Sequence, residues 1–484
     1  MTNIIFNKQN RPKVLATFAL LMTLACYSVS SPIGSGPDTD FHLANIWCGW
    51  GEAQGLCENQ GQINGVPSAE VPFMFQMCDE RTIESFPACE FETEHPRSQF
   101  LRTHSGPDQN LYYKIMRVFA SENPVTGVIQ IRILNSVIAS LILLLILTLS
   151  TRRLRFAGLA AISFSSIPNI LQYTTSVNPR SWSILSVSTS WIFLYSYLES
   201  REESRRVRRG QLVAFLFAAF LAFATRIDAS IMVVVTSALV YLSCRFRPEQ
   251  LKLRTSLTGL SFIIFLYFAL QFFPRILALF SIGIPQGYER LQYSIFQIIH
   301  IPEFVADWWS YRVGQSGSGP GIVGIIGLLL FSTNLVFALQ NSDIKQRVIF
   351  SVNSFIVFAM LTKSTIALGG IIPARGIYSL GLAAPLLGIT IASSKSNFQF
   401  MTSMGNRKVA ITLLGFAHAI SFYSWMEFYT RRGKDLGFYQ RLSLEDTWWW
   451  DTWISPNFVF LAGALLFPVF LTYAWKSIPL KLTE

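Results

Sequence analysis

The chain has 484 residues, 51% of them hydrophobic and only 14% charged, which is more apolar surface than a soluble fold of this size buries. Its 40 Phe and 12 Trp suit lipid-facing helices and the boundary between lipid and water. The net charge of +11 would fit a nucleic-acid binder, but the basic residues sit in short clusters between apolar segments. That pattern encodes topology, so nucleic acid is not an expected partner.

A window of about 20 residues, enough to cross the hydrocarbon core, finds twelve candidate spans. They are 13–30, 128–150, 156–172, 181–198, 211–226, 229–244, 256–274, 320–339, 348–364, 375–393, 408–427 and 456–475. The expected fold is an all-α integral membrane protein with about 12 transmembrane helices and a long, disulfide-containing first extracytoplasmic loop. The span 156–172 is the weakest, being short and carrying Ser163, Ser165, Ser166 and Pro168.

These spans divide the chain into seven parts. Residues 1–30 hold the N-terminus and first helix, 31–127 the long outer loop, and 128–274 helices two to seven. A second outer loop, 275–319, precedes helices eight to eleven in 320–427; a third, 428–455, precedes the last helix and tail in 456–484.

Lys and Arg are retained on the cytoplasmic side of short loops. Lys8, Arg11 and Lys13, then Arg152, Arg153 and Arg155, then Arg205 to Arg209, and later Arg407 and Lys408 all fall inside if the N-terminus is inside. Both termini are therefore expected in the cytoplasm. The first segment also has the basic start and small residues, Ser28 and Ser30, of a cleaved signal peptide. Cleavage would leave the sidedness of every later segment unchanged.

Just past the first span comes SGPDTDFHLANIW, Ser35 to Trp47, with Asp38, Asp40 and His42 within five positions. Charge at the mouth of a membrane helix is costly unless water or a ligand compensates it, so this stretch is a candidate site. The competing reading is a solvated loop start. Four of the six cysteines, Cys48, Cys57, Cys78 and Cys89, share the same loop, whereas Cys26 and Cys244 belong to helices. Four thiols outside the cytoplasm point to two disulfides with three pairings open, the local ones Cys48–Cys57 and Cys78–Cys89 being favoured. A zinc site competes, against the usual two-to-four-residue ligand spacing.

The rest of this loop, with GPD, NGVP, CDE and FETEHP, reads as irregular structure with short helices. Near its end, in HSGPDQNLYYKIMRVF, Leu111, Ile115 and Val118 share a helical face beside Lys114 and Arg117. That fits either a helix lying along the membrane surface or one packed within the loop.

Residues 275–319 contain IPQGYERLQYS, PEFVADWWSYR and GQSGSGPG, a composition suited to a substrate-covering loop. In 428–455, Arg431, Arg432, Lys434 and Arg441 break the positive-inside trend and suit an anionic partner such as a lipid phosphate. Trp448 to Trp450 and Trp453 read as an interfacial belt.

Arg226 and Asp228 lie in a tight outer turn, Arg375 caps the outer end of the tenth span, and Arg180 follows Pro179 on the same side. A guanidinium fork matches phosphate oxygens, although each such Arg alone is more often structural. No phosphate loop, zincin motif, nucleophile elbow or dinucleotide fingerprint occurs. The His are His42, His95, His104, His300 and His418; no pair has a helical ligand spacing, and a divalent metal stays open.

One span followed by a long outer loop opening with GPDTDFH resembles the GT-C superfamily of polytopic glycosyltransferases. More closely, PDTDFH resembles the P-D-E-x-x-H pattern of a bacterial branch, with Asp38 on its aspartate, His42 on its histidine, and Thr39 in place of its glutamate. HSGPDQNLYY is similar to the branch's H-P-P-x-Y-Y stretch, placing His104, Tyr112 and Tyr113 as loop or acceptor residues. SVNPRSWSI and PARGIYSLGLAAPLLG look like its N-P-x-x-W-x-I and G-R-Y-x-x-P stretches.

The resemblance implies an inverting transfer of sugar from a polyprenyl-phosphate-linked donor to a glycan, lipid or protein acceptor, outside a bacterial plasma membrane. Asp38 would be the general base, with Asp40 and His42 orienting groups or metal ligands, and Arg375 and Arg226 would hold the donor phosphate, with Arg431 and Arg432 as alternates. No cofactor beyond that metal is implied. The main alternative is a transporter or a lipid or polysaccharide flippase, for which internal repeats and midplane charges would be expected.

Overall fold

Polar caps and prolines set where the apolar runs begin to wind. The structure, a computed structural model, describes residues 10–33, 35, 39–63, 66–71, 98–100, 111–165, 167–200, 203–245, 321–340, 347, 348, 350, 351, 354, 377–393, 404–431 and 452–478.

Helix α1 (Arg11–Val29) carries Pro12 in its first turn, where the missing N–H is no loss. Its inward stripe is Ala16, Ala19, Leu20, Thr23, Leu24, Tyr27 and Ser28, the spacing of one helical face. Thr23 and Ser28 donate to the carbonyls of Ala19 and Leu24, so neither hydroxyl is left bare in an apolar bundle. A short helix, α2 (Thr39–Trp47), comes next.

The loop after α1 then forms a three-stranded antiparallel sheet, β1 (Glu58–Ile63), β2 (Val66–Val71) and β3 (Ser98–Phe100), in that order. The expectation of irregular structure with short helices had no strands here; the short helices it named are present as Thr39–Trp47 and Leu111–Met116. Between β1 and β2 the sequence is Asn64-Gly65, the dipeptide most favoured in two-residue hairpin turns, and Ile63 pairs with Val66 across it. Cys48 and Cys57 stand at disulfide distance, with Cα atoms 5.2 Å apart. Gly51 and Gly55, both at positive φ, turn the chain between them. Cys78 and Cys89 lie outside the described residues.

Helix α3 (Leu111–Met116) and a single 3₁₀ turn (Arg117–Phe119) lead to α4 (Pro124–Leu149). The Asn123 side chain caps the Thr126 N–H and Pro124 takes the first helical position. With 26 residues α4 is about 39 Å long at 1.5 Å per residue, ample for the hydrocarbon core. The remaining helices are α5 (Arg152–Ser165), α6 (Asn169–Thr175), α7 (Arg180–Glu199), α8 (Arg205–Phe223), α9 (Ile227–Arg245), α10 (Gly321–Gln340), α11 (Ile377–Ser393), α12 (Met404–Arg431) and α13 (Pro456–Lys476).

Among the described residues, six helices are long and apolar enough to cross a membrane: α1, α4, α9, α10, Gly405–Glu427 within α12, and α13. The expected span 156–172 is not straight, because α5 and α6 meet at 95°; counted as one broken crossing they raise the number to seven. Pro168 explains the break, since it has no N–H to donate and its ring collides with the preceding turn. The expected spans 181–198, 211–226 and 375–393 are helical as α7, α8 and α11, but these helices are shorter or more polar than the six. The span 256–274 and nearly all of 348–364 lie outside the described residues.

Helix α7 is the centre of the bundle, buried on nearly every side against α8, α9, α11, α6 and α4. Its sequence RSWSILSVSTSWIF alternates bulky and small side chains, and the serines let neighbours approach closely. Hydroxyls also tie helices together: Ser28 to Ser136 at 3.0 Å between α1 and α4, and Ser183 to Thr225 at 2.8 Å between α7 and the end of α8.

Candidate functional site at the exit of the first helix

The chain leaves α1 through a turn held by Arg132 of α4. One Nη donates to the carbonyls of Ser28 (3.1 Å) and Ser31 (2.6 Å), the other to Pro32 O (2.9 Å) and Ser35 Oγ (3.3 Å). Carbonyls at the end of a helix lack partners within it, and here a buried guanidinium supplies them. Trp425 of α12 adds its indole N–H to Ser30 Oγ at 2.8 Å. The turn at residues 28–32 and Ser35 is therefore held by α4 and α12. Motifs and loop charges do not single out Arg132, although a lone Arg inside an expected span is signal enough.

From this turn α2 carries His42 inward, to 6% exposure. Its Nδ1 and the Tyr113 hydroxyl share a hydrogen bond of 2.8 Å. Tyr113 comes from α3, which docks through the Tyr112 N–H onto Ala224 O at 2.9 Å. Tyr112 meets Trp182 edge-on at 5.1 Å, and the Trp182 indole donates to Asn135 Oδ1 at 2.9 Å. Asn135 in turn donates to Ser176 O at 2.8 Å, before the Asn178-Pro179 start of α7. Asn178 Oδ1 accepts the Arg180 N–H at 2.9 Å, which fixes that start and sets Arg180 at the first position of the helix.

Burial pushes the His42 imidazole well below its ordinary value, and the positive charges of Arg180 and Arg226 push it the same way. The ring is therefore neutral at neutral pH, one nitrogen donating and the other accepting. Burial likewise raises the Tyr112 phenol, which stays protonated. Arg226 is half-exposed, and its Nε lies 3.0 and 3.2 Å from the two carboxylate oxygens of Asp228. Asp228 Oδ1 also accepts the Ala229 N–H, so this carboxylate caps α9 as well.

The structure thus brings His42, Tyr112, Tyr113, Arg180 and Arg226 to one end of the bundle. Both guanidiniums act as positive charges on the neutral imidazole. That arrangement suits an anionic group with a hydroxyl or amide nearby.

Asp38, His104, Arg375 and Arg432 lie outside the described residues. Asp40 and Arg431 are described only as helical backbone, in α2 and at the end of α12. Lining up Leu111, Ile115 and Val118 marks only one face of α3. Leu111 and Val118 are exposed, whereas the tyrosine face is the buried one. Among the described residues no three of His, Cys, Asp and Glu come together as a metal site.

A bundle of long apolar helices, capped by polar turns and joined by basic loops, is that of a multi-pass membrane protein. Residues 21–311, more than half of the chain, match the DUF2142 family, described as a predicted membrane protein, and the chain belongs to that family. No curated protein and no solved structure matches it. The matched region runs from within α1 past α9 and includes His42, Tyr113, Arg180 and Arg226.

Proposed function

We propose that the protein is a membrane glycosyltransferase of the GT-C type, moving a sugar from a polyprenyl-phosphate donor to an acceptor outside a bacterial plasma membrane. One observation carries this reading: the His42–Tyr113 pair lies within electrostatic reach of Arg180 and Arg226, directly after the turn through which the chain leaves α1. Asp38, four residues before His42, takes the proton of the acceptor hydroxyl. The acceptor oxygen then bonds to the anomeric carbon as the bond from that carbon to the donor phosphate breaks, inverting the configuration. The departing phosphate gains negative charge, which Arg226, Arg180 and Arg375 offset, with Arg431 and Arg432 as alternates. His42, neutral and anchored by Tyr113, orients the acceptor.

A flippase would also use a broken span such as α5–α6. The cavity beside that break measures about 60 Å³ and is lined by apolar side chains with a few Ser and Thr, none of them charged, which favours the enzyme. The test is transfer of labelled sugar from a polyprenyl-phosphate donor by purified protein. Asp38→Asn should abolish transfer while the protein stays folded and inserted. Unchanged turnover in that variant refutes the base assignment, and accumulation of substrate in proteoliposomes without transfer refutes the enzyme.

A further inference from the structure

Arg117, which opens the 3₁₀ turn after α3, is a guanidinium that the transfer reaction does not use. Tyr112, Tyr113, Met116 and Arg117 are buried while Leu111 and Val118 are exposed, so Arg117 lies four positions beyond Tyr113 on the buried face. The turn is clamped on both sides. Trp47, at the end of α2, donates its indole N–H to Ser121 O at 3.0 Å, and the space above Gly127 of α4 is closed by Phe119 O and the Trp47 ring.

Inside this clamp Arg117 is only 8% exposed. Its Nε is buried with no hydrogen-bond partner, and its guanidinium forms no ion pair among the described residues. Burial pulls it below its ordinary range, and no neighbouring charge of either sign acts on it. An Arg side chain keeps its proton in a protein, so a buried cation without counter-charge results, which is destabilising. Other arginines are provided for: Arg132 by three carbonyls and a hydroxyl, Arg153 by Glu199, Arg226 by Asp228. The charges acting on His42 are those of Arg180 and Arg226, so Arg117 stands apart from that cluster.

We propose that Arg117 binds a phosphate group at the level of the lipid headgroups. Its helix docks on Ala224, in the turn between α8 and α9, and α4 begins only after it, so the guanidinium lies at the helix ends, where phosphates are the prevailing anions. The guanidinium fork matches their oxygens. Val118, next in the chain and 66% exposed, offers an apolar contact that suits a lipid chain beside the phosphate.

Thermal unfolding of the full-length protein in an uncharged detergent would be followed while inorganic phosphate is titrated at constant ionic strength, and separately while phosphatidylglycerol is added to the micelles. The wild type should be stabilised. Arg117→Gln should raise the half-saturating concentration at least about tenfold, the effect of losing one charge-assisted hydrogen bond. With neither probe present, the same variant should unfold at or above the wild-type temperature, because it removes an uncompensated charge. Lys114→Gln, which takes a charge from the same helix, should titrate within about twofold of wild type. A response to phosphatidylglycerol alone makes the source a lipid headgroup, and one to inorganic phosphate a soluble compound. No response in the wild type, or an Arg117→Gln titration equal to it, overturns the proposal. So does a lower unfolding temperature of Arg117→Gln without either probe, which would assign the residue a structural role, or an equal effect of Lys114→Gln, which would indicate general attraction between charges.

Discussion

Replacing Arg132 with Met keeps an unbranched apolar stem and removes four hydrogen bonds, to the carbonyls of Ser28, Ser31 and Pro32 and to Ser35 Oγ. Bonds to a charged donor contribute about 1.5–3 kcal/mol each in water-soluble proteins, whereas side-chain bonds inside a membrane average about 0.6 kcal/mol. Four bonds at the two lower figures bracket the loss at about 2–6 kcal/mol. Arg132→Lys should restore only part, since an ammonium cannot span both sides of the turn as a planar fork does. Thermal unfolding in detergent reads the stability. Hydrogen exchange of residues 28–35 reads the turn itself, and should quicken in the Met variant before global unfolding. If Arg132→Met leaves both the unfolding temperature and that exchange unchanged, Arg132 does not hold the exit of α1.

The same packing sets two further outcomes. His42 is depressed on folding, so below about pH 6.5 the unfolded chain binds a proton that the folded site refuses. Stability is therefore complete above that pH and is lost as pH falls toward the folded value, by up to about 1.4 kcal/mol per unit. His42→Gln should flatten that part of the acid-unfolding curve relative to wild type, and parallel curves would show that the imidazole is not held neutral. At Gly388 of α11 an added methyl would overlap the Trp191 ring and come within 3.0 Å of Ala161 Cβ. Trp191 is fully buried with its indole N–H on Ser188 O, so Gly388→Ala should cost about 1–3 kcal/mol despite the better helix former; an unfolding temperature equal to or above wild type contradicts this packing.

How much of this fold is legible in the sequence depends on how local each signal is. Long apolar runs with polar starts, such as Asn123-Pro124 and Ser455-Pro456, announce α4 and α13 because capping and hydropathy act within a few residues. The kink at Pro168 is visible as a weak span for the same reason. The β1–β2 hairpin is equally local in Asn64-Gly65, yet it hides among turn residues that mark irregular structure just as well. The convergence of residues 42, 113, 180 and 226 is not local at all. It depends on α3 docking against Ala224 and on the Ser183–Thr225 contact, neither of which leaves a periodic trace. Shared sidedness of Arg180, Arg226 and the Asp38 stretch is the most that topology alone offers.

The arginines show why residue type alone does not locate a ligand. Arg132 spends both terminal nitrogens on carbonyls and a hydroxyl, so it positions the chain and has little left for a substrate. Arg153 is taken by Glu199. Arg226 offers Nε to both carboxylate oxygens of Asp228. The Asp228 carboxylate, held in turn by the start of α9, therefore does for Arg226 what Tyr113 does for His42: it fixes the orientation of the group.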